Sequence, residues 1–231
     1  MKDEELKKLQ LVEKIAVKGG MKLDVYKSTY DTFQNLKAVA KLTIDTLKKK
    51  ISIKDKRILF SYSDKGEFES ELKFGGDMLV ITMHTNVFEF PREHDIMNLS
   101  YIKQDITRSY CGIINMYNFL CDSFKYNRAN DVGYLVARIF VNRDCHYFVE
   151  GKRQIGLMYN NFANEVIDRN ALKKILGSAI SYCVDFDLLT PVYDSIKVVS
   201  ISEMLENSLN LNLRTGKRLG FRFQVDQDDA E

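Results

Sequence analysis

The feature that most constrains the fold of this chain is a change of hydrophobic period near residue 50. Upstream, apolar residues recur at steps of three and four. Downstream, they alternate along short runs separated by turn residues. The first pattern buries one stripe of a helix and the second one face of a strand. A helical arm leading into an antiparallel sheet is therefore expected.

Leu6, Leu9, Val12 and Ile15 or Ala16 mark a first helical stretch over residues 2–18. Gly19-Gly20 is expected to end or kink it, because a glycine in a helix interior costs about 1 kcal/mol relative to alanine. Leu23, Tyr26, Tyr30, Phe33, Ala40, Ile44 and Leu47 then form a second stripe, with Lys37 as its interruption. A helix over 23–49 would be about 40 Å long and needs a partner surface along most of that length. The stripe is wide and aromatic, which suits a sheet better than an extended coiled coil. No flexible linker separates it from the first strand, since Lys48 to Lys56 is short and charged. The change of period thus reads as the corner of one domain over 1–225, with a helical arm at 1–50. The acidic tail, 226–231, is predicted to fray.

Three strands follow, Arg57 to Ser63, Glu67 to Phe74 and Met78 to Phe90, with turns at Asp64-Lys65-Gly66 and Gly75-Gly76-Asp77. Glu67, Glu69, Glu71 and Lys73 share one face of the second strand and Phe68, Leu72 and Phe74 the other. One side of the sheet is therefore wet, and the sheet antiparallel. Pro91 ends the third strand, and 92–108 reads as a helix or an irregular crossing. Tyr110 to Cys121 reads as a strand, with a helix as the alternative. Asp131 to Val141 and Cys145 to Glu150 form a hairpin about Asn142-Arg143-Asp144, and Arg153 to Tyr159 adds a strand.

The period then reverts: Val166 to Cys183 carries a helical stripe, with Asp168 or Asn170 as its N-cap and Pro191 as its end. Ser195 to Val199 reads as a strand, 201–209 as a short helix and Leu219 to Val225 as a last strand. The predicted fold class is α+β. A meander of about five to seven antiparallel strands is packed by the long N-terminal helix and by a helix near 170–188.

Composition narrows the function classes. The chain has 34 Lys and Arg against 32 Asp and Glu, so no net field draws it to nucleic acid or to an anionic membrane. No apolar run reaches the roughly 18 residues of a spanning helix, and the charged N-terminus does not read as a secretory signal. Cys111, Cys121, Cys145 and Cys183 show no CxxC spacing and read as the reduced thiols of a cytoplasmic protein.

The first candidate site is the polar break in the third strand. Thr82, His84 and Asn86 share a face between apolar flanks, the composition of a pocket lining. The competing reading is that the strand emerges there into solvent. Arg138 is the second candidate. Its charge lies inside Tyr134-Leu135-Val136-Ala137-Arg138-Ile139-Phe140 and needs a carboxylate, from a side chain or a bound anion, or a route to water. Cys145-His146 does not read as a metal site, because strand neighbours point to opposite faces and no zinc-type spacing is present. Gly151-Lys152-Arg153 and Gly216-Lys217-Arg218 are not P-loops, since no Ser or Thr follows the lysine.

No catalytic signature and no cofactor are read from the sequence. The reading it supports is a non-catalytic cytosolic protein that binds a small ligand or a protein partner on one sheet face, through Thr82, His84, Asn86 and Arg138. The N-terminal helices are the expected surface for homo-oligomers. An enzyme with a scattered polar site on the same face is the second reading. Nucleic-acid binding through Arg214, Lys217, Arg218 and Arg222 is the third.

Overall fold

The computed structural model describes residues 2–129, 131–151, 155–156, 160–190, 192–202 and 204–205. Helix α1 (Lys2–Lys54) runs unbroken through Gly19 and Gly20. At 1.5 Å per residue its 53 residues span about 80 Å. The expected break does not occur. Two glycines cost about 2 kcal/mol in a helix interior, whereas a helix started afresh meets a nucleation factor near 10⁻³, worth about 4 kcal/mol. Propagation through the pair is the cheaper route.

From Met21 to Leu47 α1 lies on a sheet. The strands are β1 (Phe60–Asp64), β2 (Glu69–Phe74), β3 (Asp77–Met83), β4 (Phe88–Glu89), β5 (Tyr110–Leu120), β6 (Tyr134–Asn142) and β7 (Tyr147–Gly151). They form one seven-stranded antiparallel sheet in the order β1-β2-β3-β5-β6-β7, with β4 also paired to β5. The expected run Met78 to Phe90 is thus split. Met83 pairs with Ile114 and Phe88 with Cys111, so five steps along one strand match three along the other. The excess is taken up at residues 84–87, where His84 Nδ1 accepts the Asn86 N–H at 3.0 Å.

Phe33, Leu36, Val39, Ala40 and Ile44 of α1 pack with Leu172, Ile175, Leu176, Ala179 and Cys183 of α4 (Arg169–Val184) over one sheet face. The sheet supplies Leu72, Leu79, Ile81, Met83, Ile114, Met116, Ile139, Val141 and Val149. Each fully buried side chain of this size contributes roughly 1.5–3 kcal/mol. Asp168 caps α4 as expected, its carboxylate accepting the Ala171 N–H at 2.7 Å. Residues 92–108 are neither one helix nor a strand. They fold as helical turns at Asp95–Asn98, α2 (Ser100–Gln104) and Ile106–Ser109, and cover part of the other sheet face. The short helix α3 (Cys121–Lys125) follows β5.

Lys37 is not a fault in the helical stripe. Its side chain is 8% exposed, and its ammonium donates to Asp64 Oδ1 at 2.7 Å and to the Gly66 carbonyl at 2.5 Å, so it ties α1 to the β1–β2 turn. The Lys37 bond, then the Gly66 N–H, hold the Asp64 carboxyl below its ordinary pKa. A depressed folded-state pKa stabilises the fold above the unfolded value and loses that contribution as pH falls through the folded one. Asp64→Asn is therefore expected to cost about 1 kcal/mol or less at neutral pH, since Asp64 is largely exposed. The difference should vanish once the pH is low enough, below the ordinary carboxylate range, to protonate Asp64 in the folded protein. Urea unfolding curves at neutral pH and in such acid check this, and a deficit that persists in acid contradicts it.

Two strands expected after β7 do not form as expected. Tyr193–Ile196 is a helical turn, α5, where Ser195 to Val199 was expected as a strand. Val198 and Val199 are exposed, and an apolar run becomes a strand only where a sheet edge accepts it. Of the strand expected over Arg153 to Tyr159, only Ile155 and Gly156 are described, and they are helical. Residues 201–202 and 204–205 are helical, in line with the short helix expected over 201–209. The expected strand Leu219 to Val225 and the acidic tail lie outside the described residues. So do Lys152, Arg153, Arg214, Lys217, Arg218 and Arg222.

Candidate functional site

Antiparallel pairing carries one polar row across the sheet. Glu69 pairs with Thr82, Thr82 with Asn115, Asn115 with Arg138 and Arg138 with Glu150. Directly paired residues point to the same face, so Thr82 and Arg138 share the face opposite α1. The carboxylate that Arg138 requires is Glu150, its partner across the β6–β7 hairpin. Arg138 Nε donates to Glu150 Oε2 at 2.9 Å, and Nη2 donates to the same oxygen. The guanidinium also lies over the Phe140 ring, 5.0 Å from its centroid.

Beside this pair is a cavity of about 280 Å³. Its walls are Phe88, Phe90, Pro91 and Phe140, with Cys111 behind them and Arg138, Glu150 and His94 on the polar side. Phe90 packs on Phe140 and Phe148 with ring centroids 4.9 and 5.5 Å apart, so the wall is a continuous aromatic cluster. His94 Nε2 is 3.6 Å from Glu150 Oε1. Its Nδ1 accepts the Ile96 N–H at 3.3 Å, as the N-cap of the turn at Asp95–Asn98. That bond places the proton of the neutral imidazole on Nε2, facing Glu150. Glu89 is engaged by the Tyr110 hydroxyl at 2.8 Å and by Arg92 at 3.0 Å.

The chemistry of the cavity is that of a holding site. Burial pushes the Cys111 thiol up from its ordinary pKa, so it stays protonated and unreactive. The Arg138–Glu150 pair carries no net charge, so the polar side offers donors and acceptors without selecting either sign.

Of the four residues singled out in the sequence, the structure brings Thr82 and Arg138 into one row. His84 and Asn86 lie in the turn after β3, both exposed. The His84 ring meets the Phe88 ring edge-on at 4.8 Å, so it touches an outer wall of the cavity. The histidine that joins Arg138 and a carboxylate is His94, not His84. Glu150 was not legible in the sequence: the turn read at Asn142-Arg143-Asp144 is centred on 143 and would pair Arg138 with Phe148, whereas the hairpin is centred on 144 and pairs it with Glu150. Nor was His94, since it arrives on the irregular crossing.

Cys145 and His146 do not converge either. Cys145 occupies a turn position with φ 59°, and His146 stacks on Tyr101 at 4.6 Å with Nδ1 beside the Phe162 carbonyl. Among the described residues no group of three or more His, Cys, Asp or Glu could hold a metal ion. No helix of the described residues is long and apolar enough to cross a membrane. A larger depression of about 730 Å³ lies between the end of α1 and α3. It is open, and its two arginines are already engaged, Arg57 by Asp55 and Arg128 by Asp131. The aromatic cavity is therefore the better formed site. No protein-family model, curated protein or solved structure matches the chain.

Proposed function

We propose that this chain is a non-catalytic binding protein that takes a small, flat, largely apolar molecule into the cavity beside Arg138 and Glu150. The observation that carries this reading is the combination of three phenylalanine walls with one adjacent donor–acceptor pair. Ligand sites of this kind are mostly apolar with a few placed polar groups. Glu150 accepts two of the five guanidinium N–H groups, which leaves Arg138 donors for a ligand. A primary amide or a similar edge, with a donor beside an acceptor, matches the pair. The enzyme reading is weaker, because the buried thiol is held protonated and His94 Nδ1 is committed to capping. The spacing of the four cysteines, none at CxxC separation, supports a reducing, cytoplasmic setting.

Benzamide and toluene are suitable probes, since they share a ring and differ in the amide. Saturation-transfer NMR is expected to detect benzamide but not toluene at millimolar concentration. Arg138→Met should weaken benzamide binding at least about tenfold, or about 1.4 kcal/mol. Equal binding of both probes, or no effect of Arg138→Met, would overturn the reading.

A second observation supports self-association through the helical arm. Leu6, Leu9, Val12 and Ile15 are each more than half exposed on the part of α1 that projects beyond the sheet. A dimer mass is expected in light scattering at micromolar concentration, and a monomeric mass would remove this reading.

A further inference from the structure

The projecting part of α1 offers a specific geometry for that association, and the inference rests on the self-association reading. Every residue from Glu4 to Gly20 is exposed. Leu9, Val12, Ala16, Gly19 and Leu23 follow one another at steps of three, four, three and four, the spacing of a two-helix seam. Leu9, Val12 and Leu23 are 63%, 64% and 70% exposed. At 3.6 residues per turn this seam lies on nearly the opposite side of α1 from Met21, Val25, Thr29 and Leu36, which face the sheet. A helix laid along the seam displaces nothing of the domain.

Gly19 and Gly20 carry the second observation. A Cβ added to either would meet nothing within 4 Å. No contact within the described chain therefore calls for glycine there, although glycine is the least favourable residue after proline for a helix interior. Bare backbone on an exposed helix face lets another backbone approach closely.

We infer that two copies of this chain pair through α1 side by side, parallel and in register, along Leu9, Val12, Ala16, Gly19 and Leu23. In this arrangement Gly19 faces its own counterpart and the two helices come closest there. Charge selects the orientation. Lys8 and Glu13 flank the seam at the positions that meet across a parallel pair, so Lys8 of one copy lies beside Glu13 of the other, twice per dimer. The same rule sets Lys22 beside Lys27 at the domain end of a parallel seam, but antiparallel pairing over the same stretch would set Lys8 against Lys22 with no Lys8–Glu13 pair to offset it. Antiparallel pairing of residues 2–19 alone would leave the glycines at the end of the contact. Leu6 and Ile15 flank the seam, and Leu11 and Val17 fall outside it.

Sedimentation equilibrium and two single-cysteine variants test this. The full chain is expected to sediment as a dimer at micromolar concentration. Leu9→Cys and Leu23→Cys should each form an interchain disulfide on mild oxidation, with the unaltered chain as the control for its native cysteines. An antiparallel pair can bring at most one of these positions to its own counterpart. A dimer that links at only one position, or at neither, overturns the parallel register and leaves self-association standing. A monomeric mass overturns both. Ala16→Glu, at an exposed position of the single chain, should weaken association at least tenfold with helix content unchanged. Undiminished association of that variant also overturns the seam.

Discussion

Replacing Gly112 by alanine is expected to destabilise the protein by about 3 kcal/mol, the upper part of the range for overpacked sites. For a chain of this size that lowers Tm by roughly 6–12 °C. Gly112 lies in β5 directly under Thr29 of α1. A Cβ there would stand 2.2 Å from Thr29 Oγ1 and 2.7 Å from both Thr29 Cβ and Cγ2. Thr29 is fully buried and its hydroxyl donates to the Val25 carbonyl at 2.7 Å, so its side chain has no easy alternative position. Relief requires lifting α1, and the helix would carry the buried Val25, Phe33 and Leu36 with it. Thr29→Ala should fail to rescue the variant because the Thr29 Cβ itself is in the way, whereas Thr29→Gly should recover part of the loss. Thermal and urea denaturation of the two double variants check this. A Gly112→Ala protein within about 0.5 kcal/mol of the original would mean that helix and sheet do not meet this closely.

Asn142→Ala is expected to cost about 3 kcal/mol and to weaken benzamide binding without touching the cavity. The Asn142 side chain is fully buried and makes four hydrogen bonds. Its amide donates to the Tyr101 hydroxyl at 3.0 Å and to the Arg108 carbonyl at 3.4 Å. Its carbonyl accepts the Asp144 and His146 N–H groups, each at 3.0 Å. Alanine leaves those backbone donors without their acceptor, and each buried group left unmatched costs about 1–3 kcal/mol. The same bonds hold the segment 95–109 against the β6–β7 hairpin, helped by Arg143 on Asp105 at 2.6 Å. The Thr107 side chain first, then its N–H and the neighbouring arginines, hold the Asp105 carboxyl below its ordinary pKa, so that ion pair persists at neutral pH. Loosening the segment should move His94 and Phe90 together. Paired denaturation and benzamide titrations check this. Stability lost with full retention of binding would show that the cavity does not depend on this clamp.

Much of the fold was legible because β-structure here is local. Apart from β3–β5, every strand pair joins neighbours in sequence, so turn residues such as Asp64-Lys65-Gly66 and Asn142-Arg143-Asp144 point to the partner. They do not give the register, since the hairpins are centred on residues 67 and 144 rather than on the middle residues of those turns. The partner of Arg138 was not recovered in this way, because the shift of the turn by one residue moves the pairing from Phe148 to Glu150. Helix α4 and its Asp168 cap were accessible, since capping is a contact over three residues.

The site was only half legible. Alternation placed Thr82 and Arg138 on one face, but it took the strand to run through His84 and Asn86, where the backbone turns instead. His94 came from a segment whose position depends on contacts with Asn142, Arg143 and Asp144, about 40 residues away in sequence.

By itself the sequence determined the α+β class, most of the strands and the cap of α4, because period, turn residues and caps act over a few residues. Tertiary structure decided what those local rules leave open. It carried α1 through Gly19-Gly20, because extending a helix is cheaper than starting one. It made Lys37 a bridge to Asp64 rather than an interruption, and pressed Thr29 onto Gly112. It also brought His94 to the Arg138–Glu150 pair. Each of these depends on which distant surfaces meet, and neither period nor spacing encodes that.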